Sequence, residues 1–249
     1  MSAVFTLART ETRLLSREWA TMVFAFVFPP LTMLVIAGSF GDQPDDGFGN
    51  LIPTEFYVTG YLGVPIAAIA LLGIPVILAS YRERDVLRRF AAFGVPTRSV
   101  AGAQAMVGAG LVVVAALTVL ATAIPTYGIP ELQRPLEVAM GFAAGTATML
   151  TLGVAIGLLV KSARSAQAIG LMAFFPMFLL SGSGPPPDVM SAPMRRIADL
   201  LPLTHATSAI RDPWLDDGSI APHLVGLGVW FAIGLGGAAV LLRRGSATQ

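Results

Sequence analysis

The residues of this 249-residue chain that could carry out chemistry are few, and most lie late in the sequence. Gly182-Ser183-Gly184 sets a hydroxyl between two small residues, and His205 and His223 follow. A hydroxyl and an imidazole held together are a nucleophile and its base, the equipment of a hydrolase. The surroundings weaken that reading, because Ser181 stands two residues before the candidate nucleophile and Pro185-Pro186-Pro187 follow directly. Small residues that end a helix explain the string equally well. Two histidines without a carboxylate at ligand spacing make no metal set. The absence of cysteine removes disulfides, thiolate metal sites and thiol nucleophiles. The single lysine, Lys161, precedes Ser162 but follows Val160 where a phosphate-binding loop needs glycine, so the chain has no means of holding ATP in the usual way. No nucleic-acid-binding pattern is present. The sequence predicts neither a cofactor nor a nucleic-acid partner.

The elements that must position these residues are marked by where charge is missing. Residues 19–41, 56–81, 99–130, 138–160, 165–187 and 218–242 contain no Asp, Glu, Lys or Arg, and each stretch is 23 residues or longer. A helix of about 20 residues crosses the roughly 30 Å hydrocarbon core of a bilayer. A charge at its centre costs about 2.5–3.5 kcal/mol even on the mildest scale. The sequence therefore predicts an all-α membrane protein, one membrane domain over residues 1–249, with spans over 19–39, 56–80, 100–124, 138–160, 165–183 and 220–242. Hydrophobic residues at 55% and charged ones at 12% agree with that class. No small-residue cleavage pattern follows the first apolar run, which predicts a retained helix. Arginine dominates the basic residues, with Lys161 the only lysine, and with abundant Ala and Gly this suggests a GC-rich bacterial genome.

Orientation follows from basic residues. Arg9, Arg13, Arg17, Arg82, Arg84, Arg88, Arg89, Arg98, Lys161, Arg164, Arg243 and Arg244 fall on one side, and Arg134, Arg195, Arg196 and Arg211 on the other. The positive-inside rule then predicts that both termini are cytoplasmic. Before the first span, Arg9, Arg13 and Arg17 repeat every four residues beside Leu7, Leu14, Leu15 and Trp19, the pattern of a helix lying on lipid over residues 1–18. From Arg82 to Phe93, Val86, Leu87, Phe90 and Phe93 form an apolar stripe opposite Arg82, Asp85 and Arg89, with Asp85 and Arg89 spaced to pair and Gly94 and Pro96 as the stop. After the fifth span, Met190, Met194, Ile197 and Leu201 recur at helical spacing, which predicts short outer helices folded back with this stripe buried. Pro29-Pro30, Pro65, Pro75 and Pro176 predict kinks. Gly141 with Gly145 and Gly153 with Gly157 offer close helix approach, either within the chain or between copies.

The order of basic helix, two spans, charged loop helix and four further spans resembles the type-2 transport permeases of ATP-binding-cassette exporters, similar to drug and antibiotic efflux permeases. The strings that carry the resemblance are Arg-Glu-Arg-Asp-Val-Leu-Arg-Arg-Phe from Arg82 to Phe90, Leu180-Ser181-Gly182 with the prolines at 185–187, Leu201-Pro202-Leu203-Thr204, and Ala209-Ile210-Arg211. It implies a permease subunit working with a separate cytoplasmic ATP-binding subunit and a second permease copy, identical or not, among the lipids of a bacterial plasma membrane. It also implies a coupling helix that contacts the ATPase through Glu83, Val86, Leu87, Arg88 and Phe90. Asp85-Val86 stands where Gly-Thr is frequent in the family. The few polar residues in the spans, among them Gln104, Thr118, Thr122, Thr146, Thr148, Thr151 and Gln167, favour an amphipathic or lipophilic cargo. A secondary transporter or channel is the alternative, opposed by the lack of Asp, Glu, Lys and Arg in all six runs. The glycine–serine string and later histidines also resemble rhomboid-type intramembrane proteases, whose motif has glycine two residues before the serine.

Overall fold

The computed structural model describes residues 18–247, with side chains as far as Arg243. The lipid-facing helix predicted around Arg9, Arg13 and Arg17 lies outside the described residues. In chain order the described residues form α1 (Trp19–Ala37), α2 (Pro53–Glu83), α3 (Val86–Ala92), α4 (Thr97–Tyr127), α5 (Pro135–Leu159), α6 (Ala163–Leu180), α7 (Ala192–Ala198), α8 (Pro202–Leu215) and α9 (Ala221–Ala247). Six of them, α1, α2, α4, α5, α6 and α9, are long and apolar enough to cross a membrane. Apart from an isolated bridge between Asp45 and Leu51, no strand pairing occurs among these residues.

Cross-helix hydrogen bonds define two poles. At one, Tyr127 Oη at the end of α4 donates to Leu34 O near the end of α1 (2.6 Å), and Tyr57 Oη in the second turn of α2 donates to Gly184 O beyond α6 (2.8 Å). At the other, Glu83 at the end of α2 accepts from Ala163 N at the start of α6 (2.9 Å), and Arg82 donates to Leu158 O in the last turn of α5. Successive spans thus alternate in direction. Arg82, Arg84, Arg88, Arg89, Arg98, Lys161 and Arg164 gather at the second end, here called the basic pole.

α2 is the axis of the bundle, its most apolar stretch wholly buried. Its prolines change pitch locally: a tightened turn at Tyr61–Gly63 precedes Pro65, and a widened turn at Ile69–Gly73 precedes Pro75. α1 has the same widened turn, Val23–Val27, ahead of Pro29-Pro30. Pro75 has no N–H to return to Leu71 O, and Pro213 within α8 has none for Ala209 O. Both freed carbonyls face glycines, Leu71 O against Gly170 of α6 and Ala209 O against Gly141 of α5. Gly153 lies against Ala70 O in the widened turn. Without side chains at these positions, backbones approach closely enough for Cα–H to meet carbonyl oxygen. The glycine pairs on α5 are therefore packing within the chain: Gly145 meets Ala206 of α8, and Gly157 meets Pro75 and Leu78 of α2.

α8 is short yet almost entirely buried against α5, α9 and the start of α2. α7 is the reverse. Met194 is 49% exposed and Ile197 47%, Met190 and Leu201 are half-buried, and Ala198 is the buried residue of this helix. The stripe predicted to be buried is not buried by this chain's own atoms, because the helix lies along the bundle's rim and turns a small residue inward.

Candidate functional site

The segment after α2 is not the single helix expected from Arg82 to Phe93. α2 carries on to Glu83, and Asp85 adopts the left-handed backbone conformation (φ 54°), which aspartate tolerates better than most residues. α3 then runs from Val86 to Ala92, and Gly94 at φ 78° closes it. The break changes the ion pairs: Arg88 approaches Asp85 (3.9 Å), while Arg89 donates to Arg84 O (3.0 Å) instead of meeting Asp85. Both Asp85 and Arg88 are exposed, so this pair adds little stability.

Of the residues expected to contact an ATPase, Leu87 and Phe90 pack back onto the bundle, with the Phe90 ring edge-on to Tyr81 at 6.3 Å between centroids. Val86 is half-buried and Arg88 exposed. Glu83 is occupied at home: its carboxylate accepts from the first free N–H of α6, where the helix dipole favours negative charge. Phe93, which sequence reasoning placed in the stripe but not among the contacts, is 84% exposed. Its neighbour Gly94 was the available signal, since a residue at a helix stop leaves the stripe of the turns before it.

At the opposite pole the elbow after α6 is clamped by hydroxyls. Tyr57 and Tyr61 donate to Gly184 O and Ser183 O, both at 2.8 Å, and Thr207 of α8 donates to Ser181 O at 2.9 Å. Ser183 Oγ is paired with Ser181 Oγ at 3.1 Å in a buried site. Neither histidine bonds to it among the described residues, so no nucleophile–base pair forms. Instead, Arg211 and Asp212 form a buried ion pair (Nη2 to Oδ1, 2.9 Å), with Arg211 also donating to Ser208 Oγ and lying 4.2 Å above the Phe56 ring. Asp212 Oδ2 meets His223 Nε2 at 2.8 Å, and His223 Nδ1 lies 3.5 Å from His205 Nδ1. Arg134 braces this from α5's entrance, donating to Gly218 O (2.6 Å) and Asp212 O (3.3 Å). Burial, then the neighbouring His223, lowers the His205 pKa. Burial, then the Asp212 charge, raises that of Asp217. No group of three His, Asp or Glu suited to a metal ion occurs among the described residues.

The described residues thus form an apolar bundle with six helices fit to cross a membrane and a short exposed helix at its basic pole. The family of ABC-2 type transporters matches residues 2–213, and the chain belongs to it. It is thus a membrane permease subunit of an ABC transporter, in a family whose members serve transport, generally without catalysis, and act with an ABC ATPase in a dimeric arrangement. No curated protein matches the chain.

Proposed function

We propose that this chain is the permease of an ATP-driven exporter in a bacterial plasma membrane, carrying an amphipathic or lipophilic substrate such as a drug, antibiotic, lipid or glycan precursor. The twelve-to-four division of basic residues turns the basic pole and both termini to the cytoplasm. A separate ATPase docks there on α3, and a second permease copy, identical or different, completes the pathway. The span hydroxyls of Thr118, Thr122 and Thr151 are spent on carbonyls of their own helices, which leaves walls of low polarity. α7 lies in the outer boundary, with Met194 and Ile197 toward lipid.

The observation that carries this reading is Phe93. An aromatic side chain 84% exposed at the end of a short helix that carries exposed Arg88 and Arg89 is what a buried anchor of an interface looks like before its partner arrives. Arg82 and Glu83 tie the same segment to the ends of α5 and α6, so whatever binds α3 acts on three spans. Loss of such an anchor costs about 2 kcal/mol or more, near a thirtyfold loss of affinity. The experiment is co-purification with the ATPase together with ATP-dependent efflux, comparing Phe93→Ala and Arg88→Glu, singly and combined, with the parent. Normal complex and normal efflux in the double variant would remove α3 from the interface. Efflux that persists with no ATPase present would make the protein a secondary carrier or a channel.

A further inference from the structure

The chain has two histidines, and the fold brings them together. His205 lies in the first turn of α8 and His223 in the first turn of α9, with their Nδ1 atoms 3.5 Å apart. His223 Nε2 stands 2.8 Å from Asp212 Oδ2. An ionised carboxylate only accepts, so this nitrogen carries hydrogen and a neutral His223 presents a bare Nδ1 to its neighbour. The matching neutral state of His205 carries its hydrogen on Nδ1. The contact therefore needs one hydrogen between the two nitrogens, and it is complete with both rings uncharged.

One added proton is accommodated. A single positive charge in the pair faces the Asp212 carboxylate, 2.8 Å from His223 Nε2, and the ring left neutral turns a bare Nδ1 to accept. A second is not, because two N–H groups then oppose each other and two positive rings share the site. The His205 ring cannot move toward α9, since it lies on Gly226, where even a methyl group would come within 2.5 Å of its Cδ2.

We infer that His205, His223 and Asp212 form a proton-operated catch between α8 and the last span, closed while at most one ring is protonated and released when both are. The charges that face it come from every neighbouring element. Arg211 shares Asp212, and Arg134 holds the Asp212 carbonyl. Asp199 at the end of α7 favours charge on His205 through its backbone carbonyl and its carboxylate, while Asp217, itself near Asp188, repels Asp212. Burial and the neighbouring ring outweigh Asp199 and make His205 the ring that resists charge. Its pKa is lowered from the ordinary 6.5, chiefly by burial. A base depressed in the folded state stabilises the fold fully above its unfolded value and loses that contribution as pH falls through the folded one. Acidification is thus the releasing direction.

The test is a histidine-selective ¹⁵N NMR titration of the permease in lipid nanodiscs, purified without a histidine tag so that two rings give the only signals. At neutral pH the expected state is Nε2–H for His223 and Nδ1–H for His205. Protonation is expected in two steps more than about tenfold apart in proton affinity, the later one on His205. Spin labels on Leu200→Cys and Val225→Cys, two exposed positions in a chain without other cysteines, should separate as the second step proceeds. His205→Gln should abolish that separation, and His223→Gln should do the same if the first variant fails to fold. Independent titration of both rings near the ordinary value, or a label movement that survives both substitutions, would overturn the catch. So would tightening by added zinc at neutral pH without any acid response, which would make the pair a metal clip.

Discussion

Gly141→Ala tests whether the prolines of this chain act through the glycines they face. Pro213 leaves Ala209 O without its helical donor, and Gly141 of α5 lies against that carbonyl. A methyl group at position 141 would stand 2.6 Å from the Ala209 carbonyl carbon and 3.0 Å from its Cβ, and nearer still to the oxygen. Carbon atoms rest at about 3.5–4.0 Å, so α5 and α8 must part by about 1 Å or the backbone of α8 must bend. No rotamer change relieves this, because the atoms met are main chain. Overpacking costs about 1–3 kcal/mol, and backbone contact puts this case at the upper end. Alanine's better helix propensity returns about 1 kcal/mol, leaving a net loss of about 1–2 kcal/mol.

Gly110 of α4 supplies the opposite case. A methyl group there meets nothing within 4 Å, so only the helix propensity remains and Gly110→Ala should stabilise by about 0.5–1 kcal/mol. The assay is thermal unfolding of the purified permease in nanodiscs, with lower Tm expected for Gly141→Ala and an equal or higher one for Gly110→Ala. Adding Ala209→Gly to Gly141→Ala should recover only part of the loss, since it removes the Cβ contact and leaves the carbonyl. Equal Tm values for the two single variants would refute the account, as would full rescue.

Phe90→Ala should lower permease stability by about 1–2 kcal/mol, roughly half the cost of emptying a fully buried aromatic site, while leaving ATPase affinity closer to the parent than Phe93→Ala does; the reverse ranking would restore Phe90 as the anchor. Glu83→Gln should weaken the charge-assisted bond to Ala163 N and reduce efflux without reducing ATPase co-purification; loss of both together would place Glu83 in the interface instead. Reporters placed near Arg89 should be reached only from the cytoplasm and tags near Asp45 only from outside, and external labelling at Arg89 would invert the orientation.

The spans were legible because lipid excludes charge along the whole length of a helix, a signal that needs no knowledge of partners. Their ends were less so. α2 begins at Pro53, with Glu55 in its first turn, and runs on to Glu83, where Arg82 and Glu83 satisfy backbone groups of α5 and α6. Those bonds join residues far apart in the chain, and hydropathy cannot see them. Arg211 breaks the rule that charge marks water, being 6% exposed. Asp212 beside it and the Phe56 face replace its hydration, but an adjacent Arg-Asp pair reads in sequence like any solvated loop. Phe90 and Phe93 shared one predicted stripe, and only the helix stop at Gly94 sends them apart. The histidine pair was invisible for the same reason, since His205 and His223 sit on different helices and acquire meaning only when α8 packs on α9.

The two poles are connected through α2. Tyr57 and Tyr61 fix its beginning to the elbow after α6, and Glu83 and Arg82 fix its end to α6 and α5. Between those ties, Gly153 and Gly170 bring α5 and α6 against the carbonyls of Ala70 and Leu71, contacts between backbones that cannot be remade by turning a side chain. Sliding any of the three helices along another would drive a carbonyl into a residue larger than glycine. If α3 is where an ATPase pushes, the push therefore reaches α2, α5 and α6 as one body, together with α8, whose Ala209 O rests on Gly141 of α5 in the same way. The histidine pair joins α8 to α9, so the proposed catch would act between that body and the last span.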